Sequence, residues 1–243
     1  MAFRSGRGSD RSRRMLVMQA QEELADELPS SEAFSEELRI RVADEAEMEG
    51  STALSRLSRA LRRKTPATWV FTGDSTSAEG IDARFSRQLF DGISQAWKRP
   101  SDISIESSAP ALNVSDVRRQ LYQRVMRFQP EVIVLSLGLP ESSHLTNGLR
   151  IFENNLFEIA ETLRQSDSVL LINTPPRVGE FNGELTARVQ EYVDTLRSAC
   201  AEWDMLLINH WENWTSPSPR ISTVTHTQMA RLALQQIQDW LRN

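Results

Sequence analysis

The sequence predicts an α/β domain in which a parallel β-sheet is covered by helices on both faces. From Thr68 onward, short β-rich runs alternate with longer helical stretches, a pattern typical of parallel strands joined by helical crossovers. The runs are almost continuously apolar, as in Val132–Leu135, which indicates strands buried on both faces. Because crossovers between parallel strands are right-handed, we predict a five-stranded sheet in the order 2-1-3-4-5.

The element boundaries follow from the apolar runs and their period. The predicted strands are Thr68–Thr72, Ile103–Glu106, Val132–Leu137, Ser168–Asn173 and Met205–Asn209. Helical periodicity predicts helices over residues 79–97, 115–128, 150–165, 184–203 and 227–241. These elements place the main domain at residues 67–243, a suitable length for one α/β domain.

Residues 1–66 form an N-terminal extension with a different composition. Their charges come in blocks, and Leu54, Leu57 and Leu61 recur close to helical spacing, so we predict a disordered start followed by helices. Pro66 marks the predicted boundary. Two interpretations stay open: solvated helices that lie against the main domain, or an arm over residues 22–64 that binds a protein partner or self-associates.

Charge and hydropathy restrict the classes of partner. The formal net charge is −5 and the sequence pI is near 5.4, which argues against nucleic acid as the main partner. No window approaches the roughly 18 apolar residues of a membrane span. The apolar run Met15–Met18 is too short for the core of a signal peptide, so we expect a cytoplasmic protein.

Neither a metal nor a cofactor is expected. Cys200 is the only cysteine and lies in a helical pattern, where a buried apolar role is expected and no internal disulfide can form. The three histidines, His144, His210 and His226, lack the spacing of metal ligands.

A serine and a histidine stand where a sheet of this type binds ligands, beyond the carboxyl ends of its strands. Ser75 directly follows the first strand, within Gly73-Asp74-Ser75, and His226 lies at the start of the last helix. A nucleophilic serine needs a base for its proton and N–H donors for the oxyanion. The alternatives, a helix-capping serine and a surface histidine, stay open.

Taken in order, these segments resemble the SGNH/GDSL hydrolases over about residues 68–243. Trp69–Ser75 is similar to the strand and Gly-Asp-Ser block that open that family's domain. Gln129–Gly138 is similar to the strand before its third block, and Leu170–Pro176 to its fourth strand and following prolines. The resemblance implies a flavodoxin-like three-layer α/β/α sandwich that hydrolyses acyl or acetyl esters.

The resemblance also implies roles for individual residues. Ser75 corresponds to the nucleophile and His226 to the base, and the backbone N–H groups of Ser75 and Ala111 would hold the oxyanion. Three positions depart from the family pattern: Thr223 replaces an aspartate, Pro140 replaces the asparagine of the third block, and Ala111 replaces a glycine. Proline offers no N–H donor, so this oxyanion contact is lost.

We therefore predict a serine-dependent ester hydrolase that acts on a small-molecule ester through a Ser–His dyad or an atypical triad. The candidates to orient the imidazole are Glu212, Glu141 and Thr223. The candidate substrate contacts are His144, Asn147 and Trp211, for which a solvated loop or core filling are the alternatives. The competing hypothesis is a catalytically inactive SGNH-fold protein that binds a ligand or a protein.

Overall fold

The computed structural model describes residues 52–74, 84–143, 148–177, 183–214 and 223–242, without the side chains of Ser143 and Thr223. The predicted site residues Ser75, His144 and Asn147 lie outside the described residues. So does the side chain of Thr223, which was a candidate to orient the imidazole.

The predicted parallel sheet is confirmed in the described part of the chain. Its strands are β1 Thr68–Gly73, β2 Ile103–Glu106, β3 Val132–Ser136, β4 Val169–Asn173 and β5 Leu206–Ile208. All neighbours pair in parallel, in the order β2-β1-β3-β4-β5. The carboxyl ends of all five strands therefore meet at one edge of the sheet.

Each predicted helical stretch contains at least one helix, and two short helices among the described residues lie where none was predicted. Residues 79–83 of the predicted helix 79–97 lie outside the described residues. The helices are α1 Ala53–Arg62, α2 Phe85–Ala96, α3 Val114–Arg119, α4 Leu121–Arg124, α5 Leu139–Ser143, α6 Leu149–Arg164, α7 Gly183–Glu202, α8 His210–Asn213 and α9 Thr223–Trp240. The predicted helix 115–128 is instead divided into α3, α4 and the 3₁₀ turn Met126–Phe128. The turn ends at Gln129, whose φ of 48° is left-handed, directly before Pro130.

Two hydrophobic cores lie on opposite faces of the sheet. Successive strand residues point to opposite faces, so Val134 packs with α1, α2 and α9, whereas Leu135 packs with α3, α4, α6 and α7. Both residues are buried. This double burial explains the continuous apolar runs and confirms the three-layer α/β/α sandwich.

Helix α1 contributes to one of these cores. Leu57, Ala60 and Leu61 are buried together with apolar residues of β1, β3 and β4. Ala53, at the start of the helix, is buried as well. The sequence analysis placed this helix in the extension because of the blocks of charge in residues 1–66, and one of its two interpretations had the helix lie against the main domain. The compact unit that contains the sheet spans Ser51–Asn243, so it begins before the boundary expected at Pro66.

A buried ion pair fastens the segment between α1 and β1. Arg99 pairs with Asp102, and its guanidinium also donates to the backbone carbonyls of Arg63 and Thr65. Asp102 in turn accepts from the Trp69 indole N–H at 3.2 Å. Buried charges are stable when they are paired and hydrogen-bonded as these are, and the network fixes the entry into β1.

Helix α7 shows the buried cysteine that its pattern predicts. Cys200 is a free thiol on the buried face of α7, and burial raises its pKa to about 12.

In the part of the chain that the structure describes, none of the helices combines the length and the hydropathy that a membrane span requires.

Candidate active site

Backbone hydrogen bonds hold the strand ends together at the carboxyl edge of the sheet. The Asp74 N–H donates to the Ser136 carbonyl at 3.1 Å, and the Ala109 N–H donates to the Gly73 carbonyl at 3.1 Å. Gly73 has a φ of +126°, a conformation that favours glycine. The loops after β1, β2 and β3 are therefore joined directly before the position of Ser75 in the chain.

His226 lies at this edge because a hydrogen bond ties it to helix α2. It occupies the first turn of α9 and is 1% exposed. Its Nδ1 accepts the backbone N–H of Phe85 at 2.9 Å. Phe85 is the first residue of α2, and the connection from β1 to α2 contains Ser75 in the sequence. Helix α9 thus returns His226 to the first residue of α2.

The same hydrogen bond determines which nitrogen of a neutral His226 carries the hydrogen. A nitrogen that accepts an N–H presents its lone pair to the donor, so this contact fits the neutral imidazole whose hydrogen is on Nε2. The N-cap side chain of Arg84 makes no capping hydrogen bond, and the first N–H of the helix donates to His226 instead. In a Ser-His-Asp triad the arrangement is the reverse, because Nδ1–H donates to the acid and Nε2 accepts from the serine.

Neither glutamate expected to orient His226 does so in the structure. Glu212 is half exposed and pairs with Arg197, and its carboxylate also accepts from the Asn209 amide at 2.7 Å. Glu141 is buried, but its two oxygens accept backbone N–H groups, one from its own loop after β3 and one from the loop after β2. At Nδ1 of His226, the Phe85 N–H stands in the place of a carboxylate.

Glu141 instead connects the loops after β2 and β3. It accepts the N–H of Val114, at the start of α3, at 2.6 Å and the N–H of Gly138 at 3.0 Å. Burial raises its pKa to about 7, and the nearby charge of Asp74 acts in the same direction, although the backbone N–H groups oppose the shift. Glu141 therefore fixes the edge on which the site is built.

This shift predicts that Glu141 makes folding stability depend on pH. The pKa of Glu141 is raised from 4.5 to about 7. Its contribution to the free energy of unfolding is therefore fully present below pH 4.5 and is lost as the pH rises through 7. The loss is on the order of 3 kcal/mol. The free energy of unfolding should therefore decrease less between pH 5 and pH 8 in Glu141→Gln than in the wild type, as measured by urea unfolding at each pH. Parallel curves for the two proteins would contradict the burial of a titrating carboxyl group.

A second buried histidine lies beside Phe85. His210 is fully buried at the start of α8, and its ring meets the Phe85 ring edge-on at 5.7 Å. Burial lowers its pKa to about 3, so it stays neutral at physiological pH. Within the described ranges, neither of its nitrogens has a hydrogen-bond partner, and no three His, Cys, Asp or Glu side chains form a metal-binding group.

Two other expected site residues have different surroundings. Trp211 is buried with Val189 and Val193, and its indole N–H donates to Gln190 at 2.6 Å, which favours the core-filling alternative. Ala111 is exposed at the carboxyl edge with a φ of 59°. This left-handed conformation is one that glycine adopts more readily than alanine.

Sequence reasoning missed two polar groups of this edge. The backbone N–H of Phe85 has no sequence signal, since every residue except proline carries such a group. Asn173, the buried last residue of β4, donates to the Ser136 hydroxyl at 3.2 Å. The sequence did contain a signal for Asn173, since it is a polar residue at the end of an otherwise apolar strand.

Comparisons with known proteins find similarity in structure only. No protein-family model matches the chain, and no curated protein sequence matches it. Among solved structures, the acetyl xylan esterase AlAXEase aligns with a TM-score of 0.60 and 15% identity, over 70% of this chain and 98% of the esterase. A lipase/acylhydrolase from Enterococcus faecalis aligns with a TM-score of 0.59 and 18% identity, over 71% of this chain and 96% of that protein.

A GDSL-like lipase candidate from Parabacteroides merdae aligns with a TM-score of 0.62 and 13% identity, over 73% of this chain and 98% of that protein. The chain therefore has the fold of the SGNH/GDSL hydrolases. An acetylxylan esterase from Geobacillus stearothermophilus with this fold has been crystallised as catalytic mutants in which an aspartate and a histidine, three positions apart, are replaced by alanine. In this chain the same spacing joins Thr223 and His226.

Proposed function

We propose that this protein is an ester hydrolase that removes short acyl groups, with Ser75 as the nucleophile and His226 as its base. The observation that carries the proposal is the position of His226, whose buried imidazole lies within hydrogen-bond distance of Phe85, the first residue of α2, which is the next described element after Ser75 in the sequence. The fold supports it as well, since structural neighbours are acetylxylan esterases and lipases.

The proposed reaction has two steps. Ser75 Oγ attacks the ester carbonyl carbon while its proton passes to His226, and the backbone N–H groups of Ser75 and Ala111 stabilise the oxyanion. The alcohol then leaves with the proton from His226, and Ser75 is left acylated. Water then gives a proton to His226 and attacks the acyl carbon. The bond from that carbon to Ser75 Oγ breaks as Oγ takes the proton back from His226, which releases the carboxylic acid and restores both residues.

The expected rate is limited because Thr223 stands in place of the family's aspartate and Pro140 in place of its asparagine. Disabling the acid of a triad costs about 10⁴ in rate, and one oxyanion donor about 10²–10³. Such losses do not add when residues act as a unit, so several orders of magnitude over water remain. Releasing the Phe85 bond before His226 accepts a proton costs about 1 kcal/mol more. We therefore expect slow turnover that favours esters with good leaving groups.

The test is hydrolysis of 4-nitrophenyl acetate by the wild type and three variants. Ser75→Ala removes the nucleophile and His226→Asn removes the base, while the asparagine Oδ1 keeps an acceptor near the position of Nδ1. Both variants should have nearly the same low residual rate of hydrolysis, because the two residues act as a unit. Ser77→Ala, in the same connection, is the matched control and should keep the wild-type rate.

The pH profile adds a second criterion. The wild-type rate should rise with pH through the range in which histidine loses its proton, since only neutral imidazole accepts one. A wild-type rate equal to the buffer rate, or full activity in a folded Ser75→Ala variant, would contradict the proposal.

A ligand-binding protein without turnover is the second candidate function. The hydrogen bond from Phe85 favours it, because a hydrogen on Nε2 makes His226 a donor toward a bound molecule. This candidate predicts that acetylated xylo-oligosaccharides bind in calorimetry but are released unchanged, and that binding weakens in His226→Asn. Release of acetate from the same oligosaccharides would exclude it.

A further inference from the structure

We propose that the backbone amide of Phe85 is a positioning group that keeps His226 in its Nε2–H tautomer in the resting protein. The inference rests on the proposed function for its effect on rate, but the tautomer itself is a property of the folded chain. In this arrangement a backbone N–H takes the place that a carboxylate has in a triad, and it has the opposite hydrogen-bonding character.

The geometry makes this contact well defined. The N···N distance is 2.9 Å, and both groups are buried, since Phe85 is 0% and His226 1% exposed. Phe85 is the first residue of α2, whose amide has no carbonyl partner within the helix. The positive end of the α2 dipole reinforces the preference for an unprotonated Nδ1.

This contact opposes general-base catalysis in a specific way. To take a proton from a serine, Nε2 must present a lone pair, which in neutral imidazole requires the hydrogen to be on Nδ1. The Phe85 N–H and an Nδ1–H would then face each other. The base-competent form is reached only when this hydrogen bond is released, so the amide lowers the rate of acylation.

The decisive change removes the N–H and keeps the side chain. Replacing Phe85 with its α-hydroxy analogue, phenyllactic acid, converts the backbone amide into an ester, in which an oxygen stands where the N–H was. The matched control is the same exchange at Phe90, in the same helix α2 and with the same reagent. The control also loses an N–H but leaves His226 and its partner unchanged.

The first readout is the tautomer, measured by ¹⁵N NMR on protein labelled at histidine at about pH 8, where an unperturbed imidazole is neutral. His226→Asn identifies the His226 signals. In the wild type we expect an unprotonated Nδ1 and a protonated Nε2, and the same result in the Phe90 ester. The Phe85 ester should shift the hydrogen toward Nδ1. A wild-type His226 that carries its hydrogen on Nδ1 would overturn the proposal.

The second readout is hydrolysis of 4-nitrophenyl acetate. The protein with the backbone ester at Phe85 should hydrolyse 4-nitrophenyl acetate about 10-fold faster than the protein with the backbone ester at Phe90. This ratio corresponds to 1.4 kcal/mol, because one hydrogen bond no longer has to be released. Equal rates in an active protein, or an unchanged tautomer in the Phe85 ester, would also overturn the proposal. If the wild type hydrolyses nothing while the NMR shows Nε2–H, the positioning of His226 is supported and the proposed function is the part that fails.

Discussion

Replacing Gly73 with alanine should prevent the domain from folding. A Cβ at this position would lie 2.0 Å from the Ser136 carbonyl oxygen and 2.8 Å from the Ser136 backbone nitrogen. These are backbone atoms of the neighbouring strand, so β1 and β3 would have to separate at the carboxyl edge. The φ of +126° adds conformational strain. Strain and overpacking cost about 1–3 kcal/mol each, and their sum approaches the total stability of a typical domain.

Soluble expression and thermal unfolding measure this effect. The matched control is Gly183→Ala, at the start of α7, where an added Cβ meets nothing within 4 Å. This control should melt at the wild-type temperature or slightly above it, since alanine favours a helix. A Gly73→Ala protein that is folded and melts near the wild type would show that the two strands do not approach as closely as the structure indicates.

Deleting residues 1–66 should also abolish folding, whereas deleting residues 1–50 should not. The longer deletion removes α1, with the buried side chains of Leu57 and Leu61, and burial of each leucine is worth about 1.5–3 kcal/mol. It also removes the carbonyls of Arg63 and Thr65, so the buried guanidinium of Arg99 would lose hydrogen bonds. The combined loss of about 5 kcal/mol or more is comparable to a whole domain's stability.

The two truncated proteins are compared by size-exclusion chromatography and thermal unfolding. The chain from Ser51 should elute as a defined species and melt cooperatively. The chain from Ala67 should aggregate or show no transition. Equal melting temperatures for the two would mean that α1 is an accessory helix, as its charged face first indicated.

The sequence predicted the fold well because both faces of the sheet are buried. Continuous apolar runs such as Val132–Leu135 have no other common explanation in a chain that also alternates strands with helices. For α1, the spacing of Leu57 and Leu61 predicted a helix, and one of the two open interpretations placed it against the main domain, but the spacing did not show that these leucines belong to the core. Contacts between elements distant in the chain leave no trace in local periodicity.

The candidate site was predicted only in part for a related reason. The return of His226 to the carboxyl edge follows from the order of strands and helices. Its partner at Nδ1 is a backbone N–H, which no side-chain pattern reveals. Glu212 was a plausible acid by its position in the chain, but Arg197 on α7 lies beside it in the fold and takes the carboxylate.

The proposed catalytic role of Ser75 is tested most directly by covalent labelling with an alkyl fluorophosphonate. The serine oxygen attacks the phosphorus as its proton passes to His226, an Oγ–P bond forms, and the P–F bond breaks with release of fluoride. We expect one phosphonyl group per chain by intact-mass measurement, located on Ser75 by peptide mapping, absent in Ser75→Ala and slowed in His226→Asn. A folded wild-type protein that stays unlabelled, or that is labelled elsewhere while Ser75 remains unmodified, would contradict the proposal that this protein is a serine-dependent ester hydrolase.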